Sequence, residues 1–290
     1  SNGRLDRYLI PEPPNSPKVK IVFEEPEGSD NRQTNRVSVY WDKTAERSLD
    51  PVSGDFDFEG YRIYRSDPGD DRAGNILDEA SLIAQYDRPG NRTGFNNGFA
   101  DIALAEPVVF PGDTTQYWYR FDAPSLLGGW QYLFSVTAFD QGDPDAGLPS
   151  FESSRVSNAT RVFPGTPPVS DGSRSVGVYP NPYRIEAAWD GGTSRTRKLN
   201  FYNLPPKSEI RIYTLAGEIV AEIDHDAETY VGDIRWYDSF SAENRQQPGG
   251  EHSWDILSDN SLAISAGLYL YTVKDMDSGE VQRGKFVIIK

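Results

Sequence analysis

The stretch Tyr132-Leu133-Phe134-Ser135-Val136-Thr137-Ala138-Phe139-Asp140 decides how this chain is read. Tyr132, Phe134, Val136 and Ala138 fall on one side of a backbone whose side chains alternate, which is the period of a strand and not of a helix. Gly142 and Pro144 follow at once and end the run in a turn. Outward from it the pattern recurs. Val19, Ile21 and Phe23 share a face, as do Val37, Val39 and Trp41, and short runs follow at Tyr61 and Ile63 and over residues 117–121. Downstream, strand-like runs occupy residues 176–179, 199–204, 210–213, 219–223, 267–273 and 285–289. No stretch sustains a helical period, so the chain is expected to be all-β.

Composition agrees. Tyr (16), Phe (14) and Trp (6) are plentiful while Met occurs once, and aromatic side chains suit pleated, half-buried sheet surfaces. The 290 residues are enough for two modest cores. A net charge of -15 argues against nucleic acid as a partner, because phosphate binding needs concentrated Lys and Arg. Cysteine is absent, which removes disulfides, thiolate metal sites and Cys nucleophiles. No apolar run is long enough to span a bilayer, and the first residues carry neither an initiator Met nor a signal peptide, so a processed or truncated piece is expected.

Two soft stretches divide the chain. Residues 1–16, with Pro11, Pro13 and Pro14, read as an extended linker, and residues 164–175 (PGTPPVSDGSRS) hold little to bury. A boundary there gives domains of 17–163 and 176–290. In the second, Leu215-Ala216-Gly217-Glu218 predicts a hairpin turn, with Gly217 free to take a positive φ. Pro180 and Pro182 deny the ladder two donors, so the segment around them is expected at an edge or in an irregular crossing. Tyr269 and Tyr271 share one face and Leu268 and Leu270 the other, the mark of a central strand.

Trp41, the strand Tyr61-Arg62-Ile63-Tyr64 and the 132–140 run resemble, in that order, the core of a fibronectin type III module. A sandwich of that kind needs about 100 residues, which places an insertion within residues 66–124. The resemblance implies that Trp41 and Tyr132 fill the space between the sheets. Residues 179–184 (YPNPYR) resemble the opening of the C-terminal sorting domain of type IX secretion substrates of Bacteroidetes and their relatives. The pattern, carried by Asn181, Pro182, Tyr183 and Arg184, continues through Asn203-Leu204-Pro205, the 210–218 hairpin with Gly217, Trp254-Asp255, Gly267-Leu268-Tyr269-Leu270-Tyr271, and Gly284-Lys285-Phe286 with the apolar residues after it. It is also similar to the immunoglobulin-like domain of flagellar hook-cap proteins. Such tails often carry Gly where this chain has Ile256 and Ser261, and altered turns are expected there. The stretch 224–253, with Trp236, Tyr237 and Phe240, is longer than usual and reads as a loop packing back on the sheet.

Motifs for chemistry are sparse. The two histidines, His225 and His252, lie far apart with no helical spacing, so a shared metal site is not expected. There is no G-x-S-x-G elbow and no phosphate-cradling glycine motif, and without a histidine near a plausible Ser nucleophile a triad has no base. An enzyme is not expected, and no catalytic residue is assigned. Asp140, Asp143 and Asp145 on one loop offer hard oxygen ligands for calcium, although acidic residues with Gly and Pro after a strand are also ordinary turn formers. Asn91-Arg92-Thr93 and Asn158-Ala159-Thr160 fit a glycosylation sequon that a bacterial origin makes incidental.

The resemblances together imply two tandem β-sandwiches from the C-terminal part of a secreted protein of a Gram-negative bacterium. The first would space or bind and the second would direct export to the outer surface, with the type IX machinery as its partner. Two alternatives are a structural subunit of a surface layer or filament, and a polysaccharide-binding accessory module with Trp118, Trp130 or Trp236 lining a groove.

Overall fold

Period-two runs become strands throughout. The computed structural model describes residues 10–23, 36–52, 54–67, 80–123, 126–128, 130–142, 147–169, 172–185, 197–230 and 245–289. The N-terminal half forms β1 (Val19–Phe23), β2 (Val37–Trp41), β3 (Phe58–Arg65), β4 (Ser81–Asp87), β5 (Ala103–Val108), β6 (Tyr117–Ala123), β7 (Tyr132–Asp140) and β8 (Thr160–Val162). The C-terminal half forms β9 (Gly177–Tyr179), β10 (Tyr183–Arg184), β11 (Leu199–Tyr202), β12 (Lys207–Thr214), β13 (Ile219–Asp226), β14 (Arg245–Gln246), β15 (Glu251–Trp254), β16 (Gly267–Asp275) and β17 (Val281–Ile289). Among the described residues the helical content is two single turns, Ala45–Arg47 and Arg155–Asn158.

Each half is a two-sheet sandwich. In the first, sheet β1-β2-β6-β5 faces sheet β14-β8-β7-β3-β4. Their shared core joins Val37, Val39 and Trp41 from one sheet to Tyr61, Ile63, Phe134, Val136 and Ala138 from the other. Trp41 has no exposed surface, and its ring centroid lies 5.6 Å from those of both Tyr61 and Tyr119. Tyr132 is buried in the same core and its hydroxyl accepts the Leu127 amide at 2.8 Å. The described residues of the region expected to hold the insertion supply three sheet strands, β4, β5 and β6: β4 pairs with β3, and β5 with β6.

In the second, sheet β10-β17-β16-β12-β13 packs on sheet β15-β11-β9. Tyr269, Tyr271, Phe286, Ile288, Ile210, Ile212, Phe201 and Trp254 fill the space between them. β16 is central, as its apolar faces suggest, although Leu270 is exposed. Gly217 takes φ +87° in the hairpin between β12 and β13, whose ends are closed by the Thr214 amide donating to the Glu218 carbonyl at 2.9 Å.

The proline-rich connection differs from its reading. Phe163, Pro164, Gly165, Thr166 and Val169 are buried. The segment contributes backbone more than side chains, which hydropathy does not register. The Thr166 carbonyl accepts the Gly250 amide, and its hydroxyl donates to the Gly250 carbonyl and accepts the Asn203 amide. Val169 donates to the Leu204 carbonyl. A further tie is β14, which comes from the C-terminal half but pairs in parallel with β8 of the first sandwich. Trp236, Tyr237 and Phe240 lie outside the described residues.

Candidate functional site

Residues 179–184 and β17 build one structure. The Tyr179-Pro180 and Asn181-Pro182 peptide bonds are both cis. Asn181 and Pro182 are exposed and stay outside the ladder, as two prolines require. The Asn181 side chain replaces the missing ladder bonds: its Nδ2 donates to the Lys285 carbonyl at 3.3 Å and its Oδ1 accepts the Val287 amide at 3.2 Å. The chain then joins the sheet, with Tyr183 opposite Ile288 and Arg184 opposite Ile289 in parallel register. The Ile185 amide extends this by donating to the Ile289 carbonyl at 3.1 Å. Tyr183 is fully buried and Arg184 exposed, so the pair anchors on one side and presents a cation on the other.

Beneath this clasp lies an aromatic stack. Phe286 packs almost parallel to Tyr269, with centroids 5.6 Å apart at 14°, and lies 6.4 Å from Tyr271 and 5.9 Å from Trp254. The Tyr271 hydroxyl donates to the Val176 carbonyl at 3.0 Å, and burial pushes its pKa up to about 12. The Tyr269 hydroxyl donates to Ser265 at 2.8 Å. Gly267 and Lys285 are exposed where β16 and β17 run side by side. Gly217 lies in the hairpin turn described above. The resemblance-derived residues of the second sandwich thus split into a buried stack, a surface clasp and a turn.

The turns at Ile256 and Ser261 take a backbone that Gly favours. Ile256 holds φ +62° and Ser261 φ +59°, so both keep the left-handed backbone that Gly adopts at no steric cost. Packing and hydrogen bonds impose it. The Trp254 Nε1 donates to the Leu257 carbonyl at 2.9 Å, Asp255 Oδ1 accepts the Leu257 amide at 3.1 Å, and the buried Ile256 side chain packs into the core.

Of the acidic loop, Asp143 and Asp145 lie outside the described residues. Asp140 ends β7, and its Oδ1 accepts the amides of Gly142 at 2.9 Å and Phe151 at 2.8 Å, which is the work of a turn former. It borders a cavity of about 340 Å³ with Asp50, Asp55 and Asp57. Burial, then the charges of Asp140 and Asp50, push Asp57 up to about 6. Among the described residues no group of three or more His, Asp or Glu side chains is arranged to hold a metal ion. Trp118 and Trp130 are half-buried against the first core, with Lys43 Nζ 4.5 Å above the Trp118 ring. Asn91 and Asn158 both spend their side chains on internal hydrogen bonds.

Sequence reasoning missed Glu251. Its Oε1 accepts the Thr166 amide at 2.9 Å and its Oε2 the Tyr179 hydroxyl at 2.6 Å, which ties the connecting segment to β9 and β15. Burial raises its pKa to about 7, against the opposing pull of those two hydrogen bonds and of Lys198. It also missed the meeting of the two histidines. His225 Nδ1 lies 3.2 Å from His252 Nδ1. They stand 27 residues apart, and only the pairing of sheets brings them together.

No family model and no curated protein matches the chain. Among solved structures it is similar to PorZ, an essential bacterial surface component of the type-IX secretion system of Porphyromonas gingivalis. Identity there is 19% over 40% of this chain and 11% of that one, with a TM-score of 0.27. Dimeric latent PorU from the same organism aligns at 14% identity over 94% of this chain and 34% of its own, with a TM-score of 0.23. The central fibronectin-III array of RIM-binding protein aligns at 11% identity over 96% and 69% of the two chains, with a TM-score of 0.24. The chain spans about a tenth of the first and a third of the second, and alignments this loose assign it no role.

Proposed function

We propose that residues 176–290 act as a type IX sorting domain and that the fibronectin-like sandwich before them serves as a spacer or binding module, without catalytic activity, on a protein bound for the outer surface of a Gram-negative bacterium. One observation carries this reading: the Asn-Pro segment and the closing apolar strand, which resemble the two ends of a sorting tail, clasp each other through Asn181 and the Tyr183–Ile288 pairing. Machinery that recognises a folded tail by shape would read both ends at once on this surface. The buried stack supports the clasp from below, while Pro182, Arg184 and Lys285 remain exposed for contact.

The test is export of a fluorescent reporter that carries a signal peptide and residues 163–290, in a host that owns the secretion system. Starting at 163 retains the segment that packs on Gly250 and Asn203. Export of the fusion, lost when residues 284–290 are removed, is the expected result. Retention of the intact, folded fusion in the periplasm overturns the assignment and leaves a structural sandwich.

A further inference from the structure

His225 sits on β13, at the edge of the five-stranded sheet, and His252 on β15, at the edge of the three-stranded one. The His225 Nε2 lies 2.9 Å from the Gly249 carbonyl. A carbonyl only accepts, so Nε2 carries the ring proton and Nδ1 is left with its lone pair. That lone pair faces His252 Nδ1 at 3.2 Å. Without a metal, His252 meets it by donating its own Nδ1 proton. The same spacing is close to the edge of a tetrahedron built from zinc–nitrogen bonds of about 2.0–2.1 Å, which is about 3.3–3.4 Å.

We propose that His225 and His252 bind one borderline divalent transition metal, of the class of Zn2+, Ni2+ and Cu2+, through their two Nδ1 atoms, stapling β13 to β15. Three features prepare the pair. The Gly249 carbonyl fixes the tautomer and orientation of His225, as the outer partner of a metal-bound imidazole does. Tyr230 stacks on His252 at 4.3 Å, stands edge-on to His225 at 5.6 Å, and is itself held where its hydroxyl accepts the Ser253 amide. Ser208, the cross-strand neighbour of His225 and therefore on the same sheet face, has a buried hydroxyl with no hydrogen-bond partner, an unspent group for a metal-bound water.

His225 is 3% exposed, whereas His252 is half-buried. Binding requires His252 to move its proton from Nδ1 to Nε2, so both rings stay neutral and no net proton is released. Two nitrogens and no carboxylate select a borderline metal over calcium or magnesium, which demand oxygen. Water completes the coordination. The site is independent of the sorting clasp.

The test uses the full chain, its thermal unfolding followed with added Zn2+, Ni2+, Cu2+, Ca2+ or Mg2+, and its histidine ring nitrogens followed by NMR. The transition metals should raise the melting temperature reversibly, with Cu2+ the most potent, and diamagnetic Zn2+ should shift the Nδ1 resonances of both rings, while Ca2+ and Mg2+ should do neither. His252→Gln, at the more exposed ring, should fold and lose at least tenfold in apparent zinc affinity. A melting temperature indifferent to zinc, a zinc effect unchanged in His252→Gln, or shifts confined to Nε2 overturns the proposal. Should His225→Asn fail to fold, the His252 variant and the NMR assignment decide alone.

Discussion

Gly284 stands directly opposite Tyr271 across the β16–β17 ladder, and the tyrosine ring fills the space a side chain at 284 would need. A Cβ there would lie 2.2 Å from the phenol carbon and oxygen of Tyr271, a ring already fixed by Phe286, Phe201 and its bond to Val176. Gly284→Ala should therefore destabilise the second sandwich by about 1–3 kcal/mol, the usual cost of overpacking. Urea denaturation of the full chain measures it. A midpoint unchanged from wild type would mean that Tyr271 has room to move.

Asn181 is exposed, and each of its two hydrogen bonds to β17 is worth about 0.5–1.5 kcal/mol or less. Asn181→Ala should lower stability only modestly but cut export of the reporter fusion sharply, because it loosens the surface on which the two ends of the domain meet. Export and melting temperature are read on the same protein. Unimpaired export would remove the clasp from the recognition surface.

Much of this was legible in the sequence. Alternation marked most of the strands because each sheet has one face in a core, and Gly217 marked the hairpin because a tight turn needs positive φ. The left-handed Ile256 and Ser261 were not legible, since nothing local favours that backbone and the surrounding packing imposes it. Nor was the junction: residues 163–169 are held by their peptide groups, and Glu251 and the two histidines gain their meaning from partners on other strands. β14, two residues long and paired to a strand of the other sandwich, carries no pattern at all.

Ser261 is exposed at φ +59°, a conformation that costs a non-glycine residue about 1 kcal/mol. Ser261→Gly should relieve it and leave the protein as stable or up to about 1 kcal/mol more so. Ile256→Gly should instead destabilise, because the buried side chain contributes more than the strain removes. Paired melting curves check the opposite signs.

Glu251 gives a pH dependence of defined sign. Its folded-state pKa, about 7, lies above the ordinary 4.5, so between those values the folded chain holds more protons than the unfolded one. The contribution of this group to stability is complete below about 4.5 and is lost as the pH rises to about 7. Glu251→Gln keeps an acceptor for Thr166 and a partner for Tyr179, and should match wild type in mild acid while exceeding it above neutrality. A stability difference that does not change between pH 5 and pH 8 sinks the assignment.

Thr166→Val removes the hydroxyl that accepts from Asn203 and donates to Gly250, and leaves the Asn203 amide buried without its partner. The expected loss is about 1–3 kcal/mol. Limited proteolysis should find residues 163–169 resistant in wild type and cut in the variant. Ready cleavage of wild type there would show the segment to be loosely held.

β14 covers the flank of β8 that would otherwise be a row of open amides and carbonyls at the end of the first sandwich. Arg245 pairs with Arg161 and Gln246 with Val162, so this protection comes from the C-terminal half of the chain. Without it the first sandwich offers a ready template to any passing strand. The first sandwich thus depends on its neighbour to close that edge, and its expression alone should make it more prone to aggregate.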